Sequence, residues 1–172
     1  MKLIASFQVD HTRLGPGIYV SRTDETDGGG FVTTFDVRMT RPNAEPSMHP
    51  NAVHTIEHVV AAFLRSDREW AERIVYWGPM GCLTGFYLIV KGRPAPEEVL
   101  PLVLRAFVHL SGYGGEVPGA TPECCGNFRL HDLGMAKWEA ARFVERLKAG
   151  PSFEYPAVER PRTEDGSAFY DS

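Results

Sequence analysis

The spacing of apolar positions changes along the chain, and each change marks an element. From Phe31 the alternation is strict. Phe31, Thr33, Phe35, Val37 and Met39 fall on one side, with Val32, Thr34, Asp36, Arg38 and Thr40 on the other, which predicts a strand with one buried face. Shorter extended segments are expected at residues 6–11 and 17–23, separated by the turn material Arg13-Leu14-Gly15-Pro16, and glycines 28–30 mark a second turn. Residues 73–77 and Gly85–Lys91 are β-rich and flank the loop Gly78-Pro79-Met80-Gly81-Cys82-Leu83-Thr84. Helical spacing takes over in three places. Residues 51–65 read as one largely buried helix with Asn51 as its N-cap, reached through a loop carrying Pro42 and Pro46. Pro96–Ser111 repeats apolar residues at 99, 100, 103, 104, 107 and 110 and has Glu97 and Glu98 in its first turn. A third amphipathic helix is expected over about 133–147, capped by Asp132. Strands and helices mixed with hairpin-like connections predict an α+β fold, with a mainly antiparallel sheet packed against helices.

Composition narrows this picture. The chain has 172 residues, 43% of them hydrophobic, enough for one domain with a full core. Residues 1–150 form that domain. Pro151, Pro156 and Pro161 forbid a long helix in the remainder, so 151–172 is expected as a tail, extended or partly disordered, with Phe153, Tyr155, Phe169 and Tyr170 available for packing. With 22 acidic and 18 basic residues and no basic run, the net charge of −4 attracts neither nucleic acid nor a membrane surface. The apolar stretches are too short for a spanning helix, and the N-terminus turns polar too soon for a signal peptide. A cytoplasmic location follows. Three cysteines, 82, 124 and 125, are an odd number in a reducing compartment and favour metal or catalytic use over disulfides.

The polar end of the first helix needs an explanation. His54-Thr55-Ile56-Glu57-His58 puts two imidazoles one turn apart on one face, with Glu57 on the flank. Each buried polar group left unsatisfied costs about 1–3 kcal/mol, and a shared metal ion removes that cost. A catalytic metal takes three protein ligands and keeps one position open. The third ligand is expected from the cysteine pair before Gly126, with Cys125 preferred over Cys124 because the adjacent glycine permits the close backbone approach of a loop ligand. Glu57 is then placed to exchange protons with the occupant of the open position, as the glutamate of H-x-x-E-H does in inverzincin hydrolases. A hydrolase of that kind needs a carboxylate ligand, for which Glu139 and Glu145 stand unmarked, and it gives Cys82 no role. Cys82 lies in a glycine-bracketed loop, and a thiolate there beside a divalent cation would serve as a general base. A non-catalytic metal-binding module would need neither Cys82 nor Glu57.

Several segments together resemble one family. Ser6-Phe7 with Asp10-His11, Phe35-Asp36-Val37-Arg38, Arg41-Pro42-Asn43, residues 54–58, residues 79–87, Cys125-Gly126 and His131-Asp132-Leu133 resemble S-ribosylhomocysteine lyase, the LuxS family that makes the precursor of autoinducer-2. The resemblance covers residues 4 to about 150. It implies a homodimer with the active site at its interface and one divalent metal per chain on His54, His58 and Cys125, with Fe2+ the expected ion in the cell and Zn2+ or Co2+ acceptable. It implies cleavage of S-ribosylhomocysteine to homocysteine and 4,5-dihydroxy-2,3-pentanedione by carbonyl migration and β-elimination. Cys82 and Glu57 are the implied acid/base pair, and Ser6, Phe7, His11, Arg38 and Arg65 the implied substrate contacts. Tyr76 stands where many members carry an acidic residue.

Overall fold

The computed structural model describes residues 9–157. Ser6 and Phe7 lie outside the described residues, as do residues 158–172 of the tail. The elements follow in the order β1 (Gly17–Thr26), β2 (Gly30–Arg38), α1 (Pro50–Ser66), a 3-10 turn (Ala71–Arg73), β3 (Ile74–Pro79), β4 (Gly85–Lys91), α2 (Pro96–Ser111) and α3 (Leu133–Lys148). The four strands form one antiparallel sheet in the order β1-β2-β4-β3. The fold is therefore the α+β arrangement that the alternation and helical periods imply. Between β1 and β2 the turn uses Gly28 and Gly29 at φ +96° and +80°, which only glycine adopts without strain.

Register decides which side chains meet. Val20, Phe35, Leu88 and Trp77 form one row across the sheet, and Tyr19, Asp36 and Tyr87 the next; because successive side chains alternate, these rows face opposite ways. Phe35, Val37, Phe86, Leu88 and Val90 join Val53, Ile56 and Val60 of α1, Val103 and Phe107 of α2, and Ala140 and Phe143 of α3 in one core. All three helices thus cover the Phe35 face.

The opposite face carries the polar row, yet Asp36 and Arg38 are each only 3% exposed. The alternation of β2 predicts one buried face; at this end both are buried. What covers the second face comes from far along the sequence. After α3 the chain returns beside β1, where Ile18 N donates to Ser152 O at 3.0 Å and Asp10 N to Pro156 O at 3.0 Å. Val9 pairs with Ala157 in the same way, which is the one described trace of the extended segment expected at residues 6–11.

Helix boundaries match the sequence closely except at the start of α1. There His49, not Asn51, is the N-cap, with its Nδ1 accepting from Asn51 N. Asp132 caps α3 through Met135 N at 2.8 Å.

Candidate functional site

Two groups of chemically capable side chains stand apart in the chain. The first is built on α1. His54 donates from Nδ1 to Leu130 O at 2.8 Å, and His58 from Nδ1 to Pro118 O at 2.7 Å. A carbonyl can only accept, so each ring donates from Nδ1, and in the neutral tautomer this leaves Nε2 as the free donor atom for a metal. Those two Nε2 atoms face each other at 3.1 Å. Two lone pairs at that separation repel unless a cation lies between them. Cys125 Sγ stands 3.4 Å from His54 Nε2 and accepts from Asn127 N at 3.4 Å, so two imidazole nitrogens and one sulfur converge, with backbone carbonyls fixing the imidazoles from behind. This donor set fits a divalent transition metal of the zinc, iron or cobalt type. Cys124 is exposed and stands outside the convergence.

His131 joins the same cluster, within 4.8 Å of the other donors. Thr55 Oγ1 donates to Asn51 O and accepts from Asp132 N, both at 2.9 Å. His131 Nδ1, 3.2 Å from that hydroxyl, therefore donates to it and leaves Nε2 without a proton. Nε2 has no hydrogen-bond partner. Burial, followed by the neighbouring His54 and His58, lowers the His131 pKa and keeps the ring neutral. Its ring stacks on His54 at 4.2 Å and 15°. His131 thus braces His54 by stacking and stands as a fourth member of the cluster beside the three donors expected from the sequence. On sequence alone His131 appears only inside its motif; the six residues from Cys125 and the cap at Asp132 are the signals that place it here.

The second group lies on the helix-free face of the sheet, around a cavity of about 350 Å³ lined by His11, Asp36, Arg38, Cys82, Tyr87 and Tyr155 among others. Cys82 sits at the exposed tip of the β3–β4 connection. Leu83 takes φ +58°, a left-handed conformation costing about 1–2 kcal/mol, and the turn is held by Leu83 N to Met80 O at 2.9 Å and Met48 N to Leu83 O at 2.9 Å. Arg38 reaches this thiol from β2. Its Nη1 donates to Thr84 Oγ1 at 2.6 Å and lies 3.7 Å from Cys82 Sγ, while Asp36 grips the same guanidinium at 2.5 and 3.1 Å. Burial raises the Cys82 pKa, but hydrogen bonds from the Thr84 hydroxyl, at 3.1 Å, and backbone amide, with the Arg38 charge, outweigh it and bring the thiol below its ordinary value. The arrangement stabilises a thiolate.

Other residues singled out in the sequence are placed less centrally. His11 lines the Cys82 cavity, its Nδ1 bonded to Val9 O at 2.9 Å. Glu57 is half-buried on α1 beside His58, and its side chain makes no hydrogen bond or ion pair among the described residues. Arg65 is exposed in the last turn of α1 and does not line the cavity of its own chain. Glu139 is tied to Arg142 at 3.1 Å and Glu145 to Lys148 at 3.2 Å; neither joins the His/Cys cluster. Tyr76 is 45% exposed on β3.

Comparison with known proteins agrees with these features. A family model described as S-Ribosylhomocysteinase (LuxS) matches residues 4–152. Among similar proteins, each named S-ribosylhomocysteine lyase, that of Phocaeicola vulgatus is 54% identical over 147 residues, covering 86% of this chain and 91% of its own. The Porphyromonas gingivalis protein is 49% identical, covering 86% and 92%. The Desulfotalea psychrophila protein is 48% identical over 160 residues, covering 91% and 100%.

Proposed function

Because the chain belongs to the S-ribosylhomocysteinase (LuxS) family, we propose that it is a carbon–sulfur lyase cleaving S-ribosylhomocysteine to homocysteine and 4,5-dihydroxy-2,3-pentanedione, the autoinducer-2 precursor. The observation that carries this reading is Cys82, held against Arg38 and Thr84 at the edge of a cavity, with its pKa lowered by the Thr84 bonds and the Arg38 charge. A hydrolase has no use for that thiol. It also lacks its carboxylate ligand, since the convergent donors are histidines and a cysteine.

The ribose carbonyl moves from the first carbon to the third by two proton shifts, after which removal of a proton beside it expels the homocysteine sulfur. No water is consumed. Cys82 takes and returns protons on one side of the sugar, with Arg38 stabilising the thiolate between transfers, and Glu57 does so on the other. His54, His58 and Cys125 would hold a divalent metal, which would supply Lewis acidity at the sugar carbonyl. Fe2+ serves in the cell; Zn2+ and Co2+ suit the same donors.

The enzyme works as a homodimer with its active site at the interface. Supporting this, the Cys82 cavity and the His/Cys cluster have no lining residue in common, an arrangement that suits a site completed by a second copy. Ser6, Phe7, His11, Arg38 and Arg65 contact the substrate in that shared site, Arg65 from across the interface. Residues 1–150 carry the catalytic domain and 151–172 the tail. Reduced cysteines at 82, 124 and 125 suit the cytoplasm, and no helix among the described residues is long and apolar enough to cross a membrane. The reaction yields the autoinducer-2 precursor used in quorum sensing and returns homocysteine to the methyl cycle. A thiol assay on metal-saturated protein tests the reading: homocysteine release from S-ribosylhomocysteine supports it, and none overturns it.

A further inference from the structure

The segment that returns along β1 after α3 brings Tyr155 to the Cys82 cavity. Residue 155 lies beyond the stretch that the family model matches. Its ring stacks on Tyr19 at 4.7 Å and 9°, and its hydroxyl donates to Asp36 Oδ2 at 3.0 Å. That oxygen also takes Arg38 Nη2, at 2.5 Å. Arg38 in turn stands against Thr84 and the thiol of Cys82. A continuous line of contacts therefore runs from the tail to the sulfur through two side chains that are each almost wholly buried.

The chemistry of Asp36 gives this line a purpose. A lone buried carboxylate would draw the guanidinium entirely to itself and would also oppose a thiolate nearby by like charge. A phenol hydroxyl donating to the same oxygen spreads that negative charge and fixes the plane of the carboxylate. Arg38 is then free to turn its remaining nitrogen to Thr84 and Cys82. Burial, with the Asp36 charge beside it, raises the Tyr155 pKa, so the phenol stays a donor across the working range. The other groups facing this spot are Tyr19 from β1, Tyr87 from β4 and His11 from the segment before β1.

We propose that Tyr155 is a positioning residue of the active site, setting the Asp36–Arg38 pair so that Arg38 holds the Cys82 thiolate. The part that Cys82 plays in turnover rests on the lyase reading above; the effect on the thiol does not.

The test uses the full zinc-loaded chain. Iodoacetamide alkylation of Cys82, located by peptide mass spectrometry, is followed against pH in wild type, Tyr155→Phe and Tyr155→Ala, alongside kcat and KM. Tyr155→Phe keeps the ring on Tyr19 and removes only the hydroxyl. Its alkylation midpoint should move to higher pH by roughly half a unit to one unit, the size expected from losing one hydrogen bond that offsets a nearby charge, and kcat should fall severalfold more than KM rises. Tyr155→Ala should show at least the same shift. A Tyr155→Phe profile superimposed on wild type overturns the assignment, including the case in which only Tyr155→Ala moves, because ring packing would then be the whole effect. Alkylation needs no turnover. Wild-type protein that releases no homocysteine would defeat the lyase reading while the profiles still decide the role of Tyr155.

Discussion

Arg38 Nη1 stands 3.7 Å from Cys82 Sγ, where its charge adds to the two Thr84 bonds that lower the pKa of the thiol. The Cys82 pKa is lowered in the folded chain: burial works against the shift, and the Thr84 bonds and the Arg38 charge overcome it. A group with a depressed pKa favours the folded state above its unfolded value, and that contribution is lost as pH falls through the folded value. Turnover that needs the thiolate should therefore fall on the acid side, below the ordinary thiol range. Thr84→Val removes the hydroxyl bond and should move the acid limb of kcat/KM to higher pH. An acid limb that stays in place in Thr84→Val would separate Cys82 from the rate-limiting protonation.

At the His/Cys cluster, His58→Ala removes one of the two Nε2 donors and should strip most of the bound metal, read by elemental analysis after dialysis. Cys125→Ala should do the same and abolish the thiolate charge-transfer band of the cobalt form. Cys124→Ala should retain both, because only Cys125 lies against His54. Metal loss from Cys124→Ala instead would move the ligand by one residue.

Gly85 faces Arg38 across the β2–β4 pairing, and a Cβ there would stand 2.5 Å from Val37 O and 3.1 Å from Arg38 Cα. Backbone cannot step aside as a flexible side chain does. Gly85→Ala should cost about 1–3 kcal/mol of stability through this overpacking and should slow Cys82 alkylation as Arg38 is displaced. Unchanged urea midpoint and thiol reactivity would count against the close approach of the two strands.

Phe107 is fully buried between Trp77 and Phe143 where α2 meets the sheet and α3. Phe107→Ala should lower unfolding stability by about 3–5 kcal/mol, seen as a reduced urea midpoint with an unchanged slope, and should leave the ligand set in place.

Much of the fold is legible in the sequence because it is local. The apolar spacing marks α2 at Pro96–Ser111 and Asp132 marks the start of α3, since both signals lie within a few turns of the residues they govern. The cap of α1 is misread because His49 caps through a ring nitrogen, which a search for Ser, Thr, Asp or Asn passes over. The H-x-x-E-H spacing carries two metal donors by helix geometry alone. What local pattern cannot carry is contact at long range. The Tyr155 bond to buried Asp36 joins positions more than a hundred apart, and the bracing of His54 by His131 depends on Thr55 Oγ1 meeting Asp132 N. An alternating strand reports its two faces but not what will cover the second.

The central claim, that Cys82 and the metal ligands act as separate parts of one lyase, is tested most directly by metal-matched turnover. Wild type, Cys82→Ala and Glu57→Gln are each brought to equal metal content and given carbon-labelled S-ribosylhomocysteine, with homocysteine measured as thiol and the sugar carbons followed by NMR. Wild type should release homocysteine, and both variants should keep their metal yet lose about 10² to 10⁴ in rate, with keto sugars accumulating. Near-normal homocysteine release from metal-loaded Cys82→Ala would contradict the account.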